Sequence, residues 1–97
     1  MNYAIRFSKD ARRDLNDIKR YLSQFYPGTH KRFRAELDRN LQLVKFNPRC
    51  FPRYLDRPKF RKFIVKNYIV FYTIDDEAQC VNIFRIRYGS QDLQNNW

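Results

Sequence analysis

Apolar and polar positions along the chain follow two different periods. Residues 3–7 alternate, with Tyr3, Ile5 and Phe7 on one side and Ala4 and Arg6 on the other. That predicts a short strand. Ser8 stands where a helix N-cap belongs, and Asp10 falls in the first turn, where a negative charge suits the helix dipole. Ala11, Leu15, Ile18, Leu22 and Phe25 follow at spacings of 4, 3, 4 and 3, a helical stripe. Arg12, Arg13, Asn16, Lys19 and Arg20 occupy its opposite face. Pro27-Gly28 ends this helix, and Thr29 is the expected cap of a second one. Phe33, Leu37, Leu41 and Val44 form the second stripe, closed by Asn47-Pro48. Two helices joined by so short a turn pack as an antiparallel hairpin.

After residue 59 the period becomes that of strands. Residues 60–65 predict one strand, Lys66-Asn67 a tight turn, residues 68–74 a second strand and residues 81–88 a third. The acidic stretch Asp75-Asp76-Glu77 lies in the loop before the last strand. Residues 48–59, with Pro48, Pro52 and Pro58 among Arg49, Arg53, Arg57 and Lys59, are the longest irregular segment. The order β-α-α-β-β-β predicts a single α+β domain over residues 1–97. A helical hairpin covers one face of a four-stranded, mostly antiparallel sheet, its last three strands form a meander, and the first strand completes it.

Strict alternation in the last strand puts Phe84, Ile86 and Tyr88 on one face and Val81, Ile83, Arg85 and Arg87 on the other. Both faces of the sheet are then apolar in the middle, while the helices cover only one. The second face is either an open apolar floor rimmed by Arg61, Arg85 and Arg87, or it is covered by the long basic loop or the tail. Tyr88 falls on the helix side unless a bulge near Gly89 redirects it.

Composition removes several functions. The chain has 97 residues, two glycines (Gly28 and Gly89), two cysteines (Cys50 and Cys80) and a single histidine, His30. No Gly-rich phosphate loop, disulfide framework, metal-ligand spacing or histidine dyad can be built from these, and no cofactor is expected. No apolar run approaches a membrane span and the N-terminus carries no secretory signal, so the expected location is the cytoplasm, away from membranes. Any chemistry would run on Arg, Lys, Tyr and carboxylates.

The charge sharpens this. Twenty Lys and Arg face ten Asp and Glu, a formal +10 that favours a polyanionic partner. It is uneven: residues 1–66 hold 18 basic and 6 acidic groups, net +12, and residues 67–97 hold 2 and 4, net −2.

Three segments together resemble the RelE/ParE superfamily of type II toxin–antitoxin toxins. They are Tyr3-Ala4-Ile5-Arg6-Phe7-Ser8 with the helix start through Leu15, then Phe60-Arg61-Lys62-Phe63-Ile64-Val65-Lys66-Asn67-Tyr68-Ile69-Val70-Phe71-Tyr72, and Ile83-Phe84-Arg85-Ile86-Arg87-Tyr88-Gly89-Ser90-Gln91-Asp92-Leu93. Their order and spacing cover nearly the whole chain. The Arg ahead of a hairpin that ends in Asn67-Tyr68 is closer to the ParE-like branch. The resemblance implies a small basic toxin that inhibits growth and is neutralised by a cognate acidic antitoxin, with plasmid stabilisation as a typical role. ParE-like members bind DNA gyrase without known catalysis. RelE-like members cleave mRNA on the ribosome. Ile69 stands where RelE-like nucleases place an Arg. Tyr88 and Gln91 stand where many ParE-like members place the His and Arg of a His-Gly-x-Arg-Asp string.

RNA cleavage without a metal needs a base, an acid and cations for the phosphorane. If the chain is RelE-like, Arg61, Arg85, Arg87 and Tyr88 are the catalytic candidates. For an antitoxin or a protein target, the candidate surface is Arg53, Arg57, Lys59, Arg61, Lys62, Arg85, Arg87 and Trp97. The expected reading is a ParE-like toxin acting on a protein such as DNA gyrase. A ribosome-dependent nuclease acting on mRNA is the alternative, and an inactive homologue or a plain nucleic-acid-binding domain comes third.

Overall fold

A short strand, β1 (Ala4–Phe7), runs directly into helix α1 (Lys9–Leu22), and the joint between them ties the molecule together. The computed structural model of the protein describes residues 2–25 and 27–89. Ser8 caps α1 as its type and place predict: the Ala11 amide donates to Ser8 Oγ at 2.9 Å. The same hydroxyl donates to the Phe84 carbonyl at 2.7 Å, and the Ser8 amide donates to the Ile83 carbonyl at 2.9 Å. One serine therefore starts the helix and anchors it to the last strand.

α1 ends at Leu22, short of Phe25. The expected last member of its stripe lies beyond the helix, 52% exposed, with its ring edge-on to Tyr21 at 4.9 Å. The second helix, α2 (Thr29–Phe46), begins differently from expectation as well. Its cap is Gly28, at φ 84°, and Thr29 is already the first helical residue. The left-handed backbone at this turn suits a residue without Cβ, so the glycine takes the cap position. Phe33, Leu37, Leu41 and Val44 all face inward, as their spacing requires.

The remaining elements are β2 (Arg61–Val65), β3 (Tyr68–Asp75) and β4 (Cys80–Tyr88). The sheet order is β1-β4-β3-β2, with β1 parallel to β4 and the other pairs antiparallel. This is the helical hairpin on a four-stranded sheet that the pattern predicts. The core between the layers joins Ile18, Phe33, Leu37 and Val44 to Phe63, Val65, Val70, Tyr72, Val81, Ile83 and Ile86.

That core contains one departure from strict alternation. Phe71 pairs with Arg85 and Tyr72 with Ile83, which leaves Phe84 as an extra residue in β4. This bulge flips the phase of the strand. Val81, Ile83, Ile86 and Tyr88 consequently share one face, and the expected grouping of Ile86 and Tyr88 with Phe84 against Val81 and Ile83 is corrected. The bulge sits at Phe84, ahead of Arg85, instead of near Gly89.

The face away from the helices is not an open floor in its middle. The segment before β2 folds back across it. Phe60 and Phe71 are buried there, Phe60 lies against Phe84 at 4.8 Å between ring centroids, and Tyr54 is edge-on to Phe71 at 5.2 Å. Backbone bonds hold the segment in place, among them Tyr54 N–H to the Phe60 carbonyl at 2.8 Å and Lys62 N–H to the Pro52 carbonyl at 3.2 Å. Burying a ring as fully as that of Phe71 is worth about 2–3 kcal/mol. Ile64, 62% exposed, is what remains bare at the far end of this face.

Candidate functional site

β4 outruns β1. The parallel pairing covers only Cys80 to Ile83, so from Phe84 to Tyr88 the strand has no neighbouring strand on that side among the described residues. Helix α1 lies there instead, and Asp14 supplies what a strand would have supplied. The Ile86 amide donates to Asp14 Oδ2 at 2.9 Å. Arg85 donates to the same carboxylate from Nε at 2.8 Å (to Oδ2) and from Nη2 at 3.1 Å (to Oδ1). The pair is largely sequestered, with 23% of the Arg85 side chain and 14% of the Asp14 side chain exposed. Hydrogen bonding to Asp14 holds the Arg85 guanidinium above its ordinary value, against the opposing effect of its partial burial. Arg85 is thus committed to an internal partner.

Arg61 is elsewhere. It pairs across the sheet with Tyr72, on the helix-facing side, whereas Arg85 and Arg87 pair with Phe71 and Ile69 on the opposite side. Its Nη1 donates to the Phe51 carbonyl at 2.7 Å. The arginine rim expected from alternation does not form: β3 separates Arg61 from the other two.

Two clefts bear on these residues, at opposite ends of the sheet. The larger, about 460 Å³, opens between α1 and the free side of β4. Ile18 and Tyr21 form its helix wall, and Tyr68, Ile86 and Tyr88 its sheet wall, with Arg87 between them. Tyr88 stands edge-on to Tyr68 at 5.4 Å and is 40% exposed. Arg87 Nε is buried without a hydrogen-bond partner. The second cleft, about 310 Å³, is cationic: Arg49, Arg53, Lys59 and Arg61 surround Pro58 and Ile74. Asp76 lies beside it, accepting from Arg49 at 2.6 Å and from the Tyr3 hydroxyl at 2.8 Å. Those two bonds hold the Asp76 carboxyl below its usual value.

The other binding candidates belong to the basic segment. Arg53 bridges to Arg61 across the edge of β2, and Lys62 Nζ sits 5.6 Å from the Tyr54 ring centroid. Lys59 Nζ is 5.5 Å from the centre of the Phe60 ring, and the Arg57 backbone N–H donates to the Tyr54 carbonyl at 3.0 Å. Trp97 lies outside the described residues. Cys50 is exposed and Cys80 buried, both as free thiols. Among the described residues no group of His, Cys, Asp and Glu could hold a metal ion, and no helix is long and apolar enough to cross a membrane.

Sequence reasoning missed the helix wall of the larger cleft. The signal was present: Asp14 sits beside the apolar stripe of α1, one turn from Ala11 and Ile18, an acid on the inward flank of a strongly basic chain.

No curated protein sequence matches the chain. Solved structures share its fold. A RelBE2 toxin–antitoxin complex from Mycobacterium tuberculosis matches with a TM-score of 0.64 at 23% identity, covering 91% of this chain and 99% of that one. The chromosomal ParDE system of P. aeruginosa matches at 0.68 and 14%, covering 89% and 95%. The isolated E. coli RelE toxin matches at 0.66 and 16%, covering 94% and 88%. Residues 5–93 match the family model of the ParE toxin of the type II toxin–antitoxin system parDE, and the chain belongs to that family of RelE/ParE toxins.

Proposed function

We propose that this toxin acts as a ParE-like protein binder, stopping growth by engaging a protein target such as DNA gyrase without cutting RNA. The observation that carries this reading is that no point gathers all four nuclease candidates, since Arg61 stands apart from Arg85, Arg87 and Tyr88, which line one cleft. Arg85 is held bidentately by Asp14, Arg61 lies at the other end of the sheet with Nη1 donating to the Phe51 carbonyl, and Tyr88 stacks edge-on with Tyr68. A phosphorane needs its cations and its proton carriers around one point. In the cleft that three of them line, Asp14 already neutralises Arg85, and Arg61 is absent from it.

The neutralising partner fits the same surface logic. The structural relatives include RelB–RelE and ParD–ParE assemblies. Here the cationic cleft of Arg49, Arg53, Lys59 and Arg61 matches an acidic antitoxin segment, and Arg57 and Lys62 extend that charge along the loop. Guanidinium forks hold carboxylates bidentately, so the segment would be fixed as well as attracted.

Purified toxin tests this directly. It should inhibit DNA supercoiling by gyrase while leaving mRNA intact on translating ribosomes. Codon-specific mRNA cleavage by the purified chain, lost on Arg87→Ala, would reverse the assignment. For the antitoxin, the double variant Arg53→Gln with Lys59→Gln should weaken antitoxin binding at least about tenfold and flatten its salt dependence.

A further inference from the structure

The cationic cleft of Arg49, Arg53, Lys59 and Arg61 is lined by no carboxylate among the described residues. Elsewhere the protein neutralises its cations: Arg13, Arg20, Arg34, Lys66 and Arg85 each have an acid within 4.0 Å. Of the four in the cleft only Arg49 does, and its pair with Asp76 is open to water, 51% and 56% exposed. Arg53, Lys59 and Arg61 meet no acid among the described residues. Asp56, the one acid within the basic segment, accepts from the Tyr54 hydroxyl at 3.4 Å and does not line the cleft.

These charges are held in place. Arg53 bridges to Arg61 in the backbone, the Tyr54 N–H donates to the Phe60 carbonyl at 2.8 Å, and Arg61 Nη1 donates to the Phe51 carbonyl at 2.7 Å. Cations brought together this way repel one another, so the arrangement favours a ligand of dense, regular negative charge. Duplex DNA is such a ligand, with about one charge per 1.7 Å of its axis. Guanidinium forks grip its phosphate oxygens bidentately, and a lysine adds a point charge. A target such as gyrase works on duplex DNA, so a toxin docked on it carries its +10 charge close to phosphates.

We propose that the cleft of Arg49, Arg53, Lys59 and Arg61 holds the phosphate backbone of duplex DNA when the toxin sits on a DNA-bound target. This deepens the protein-target reading above and rests on it for the setting. Phosphate contacts position a protein without reading sequence, so the contact is independent of the bases. It also gives neutralisation a physical form. An acidic antitoxin segment lying on the same four cations excludes the duplex, and the two ligands compete.

Fluorescence anisotropy of full-length toxin on a labelled duplex of about 20 base pairs, titrated from about 50 to 200 mM salt, tests this. Each phosphate contact contributes about −0.9 to the slope of log K against log salt, so four cations predict a slope of about −3 to −4. Arg53→Gln with Lys59→Gln should make that slope shallower by about 1.8, and each single variant by about 0.9. The single variants serve where the double one does not fold. Arg12→Gln with Lys19→Gln removes the same charge from the exposed outer face of α1 and should leave the slope within about 0.5. A wild-type slope shallower than about −1 overturns the proposal. So does an equal effect of the α1 pair, which would make the attraction one of net charge alone. Single-stranded RNA of the same length binding more than about tenfold tighter than the duplex also overturns it, since the ligand would then be RNA. No gyrase is present, so a failed duplex measurement leaves the protein-target reading standing, and a failed supercoiling assay leaves the duplex result intact.

Discussion

Asp14 ties its own helix to two groups more than seventy positions along the chain, the Arg85 guanidinium and the Ile86 amide. Asp14→Ala deletes all three hydrogen bonds at once. Charge-assisted bonds in partly buried sites are worth ~1.5–3 kcal/mol, against ~0–1 for exposed pairs. With 23% and 14% of the two side chains exposed, this pair lies between those cases but nearer the buried one. The stranded Ile86 amide adds ~1 kcal/mol or more, and the better helix propensity of alanine returns ~0.5. The net loss is about 2–3 kcal/mol. At ~2.1 cal/mol/K of unfolding entropy per residue, a chain of this length should lose about 10–15 °C in Tm. Asp14→Asn keeps an acceptor oxygen for Ile86 and should lose about half as much. Asp17→Ala is the control. Its pair with Arg20 is 75% and 60% exposed, so it should cost under ~0.5 kcal/mol. Differential scanning calorimetry reads all three. A drop for Asp14→Ala no larger than that for Asp17→Ala would refute the view that this carboxylate takes the place of a missing strand.

Further outcomes follow from the same geometry. Gly28→Ala forces a Cβ into the left-handed turn at φ 84° and should cost about 1 kcal/mol, or about 5 °C; an unchanged Tm would mean the turn is not held in that conformation. Burial pushes the Tyr72 phenol far above its usual value, and its hydroxyl donates to the Pro48 carbonyl at 2.7 Å. Because the folded value is the higher one, this stability is complete below about pH 10 and drains away as pH rises, so ultraviolet titration should show Tyr72 ionising only on alkaline unfolding. Asp76 has the opposite sign. Its lowered value stabilises the fold above about pH 4, and that contribution is lost as pH falls through the folded value. Arg49→Gln should raise the Asp76 midpoint in a carbon-detected NMR titration, and an unmoved midpoint would discount the pair.

The architecture was legible because each local signal agreed with the next. Ser8, the stripe of α1 as far as Leu22, the stripe of α2 and the turn at Lys66-Asn67 each fall where their residue types predict. The site was less legible, and one residue is the reason. Alternation assumes one residue per ladder step, and the extra Phe84 breaks that count silently, since an apolar residue is acceptable on either side of a sheet with two buried faces. Val81 and Ile83, ahead of it, therefore join Ile86 and Tyr88 on the helix face, while Arg85 and Arg87 keep the face that alternation gave them; the rim fails at Arg61, which lies across from Tyr72 on the helix side. Cover of the second face by the basic loop was one of the two readings open to the sequence, but which of its rings would meet Phe71 and Phe84 was not, because a Pro-rich basic loop carries no period to read. Asp14 shows the limit of reading faces: its partners come from the far end of the chain.

The central claim is that the toxin acts by binding a protein and not by cutting RNA, and pulse-labelling after induction tests it most directly. DNA and protein synthesis are followed separately in the same culture. DNA synthesis should fall first and cells should filament while translation continues. Immediate arrest of translation, with new mRNA ends at ribosomal A-site codons and undisturbed DNA synthesis, would contradict it.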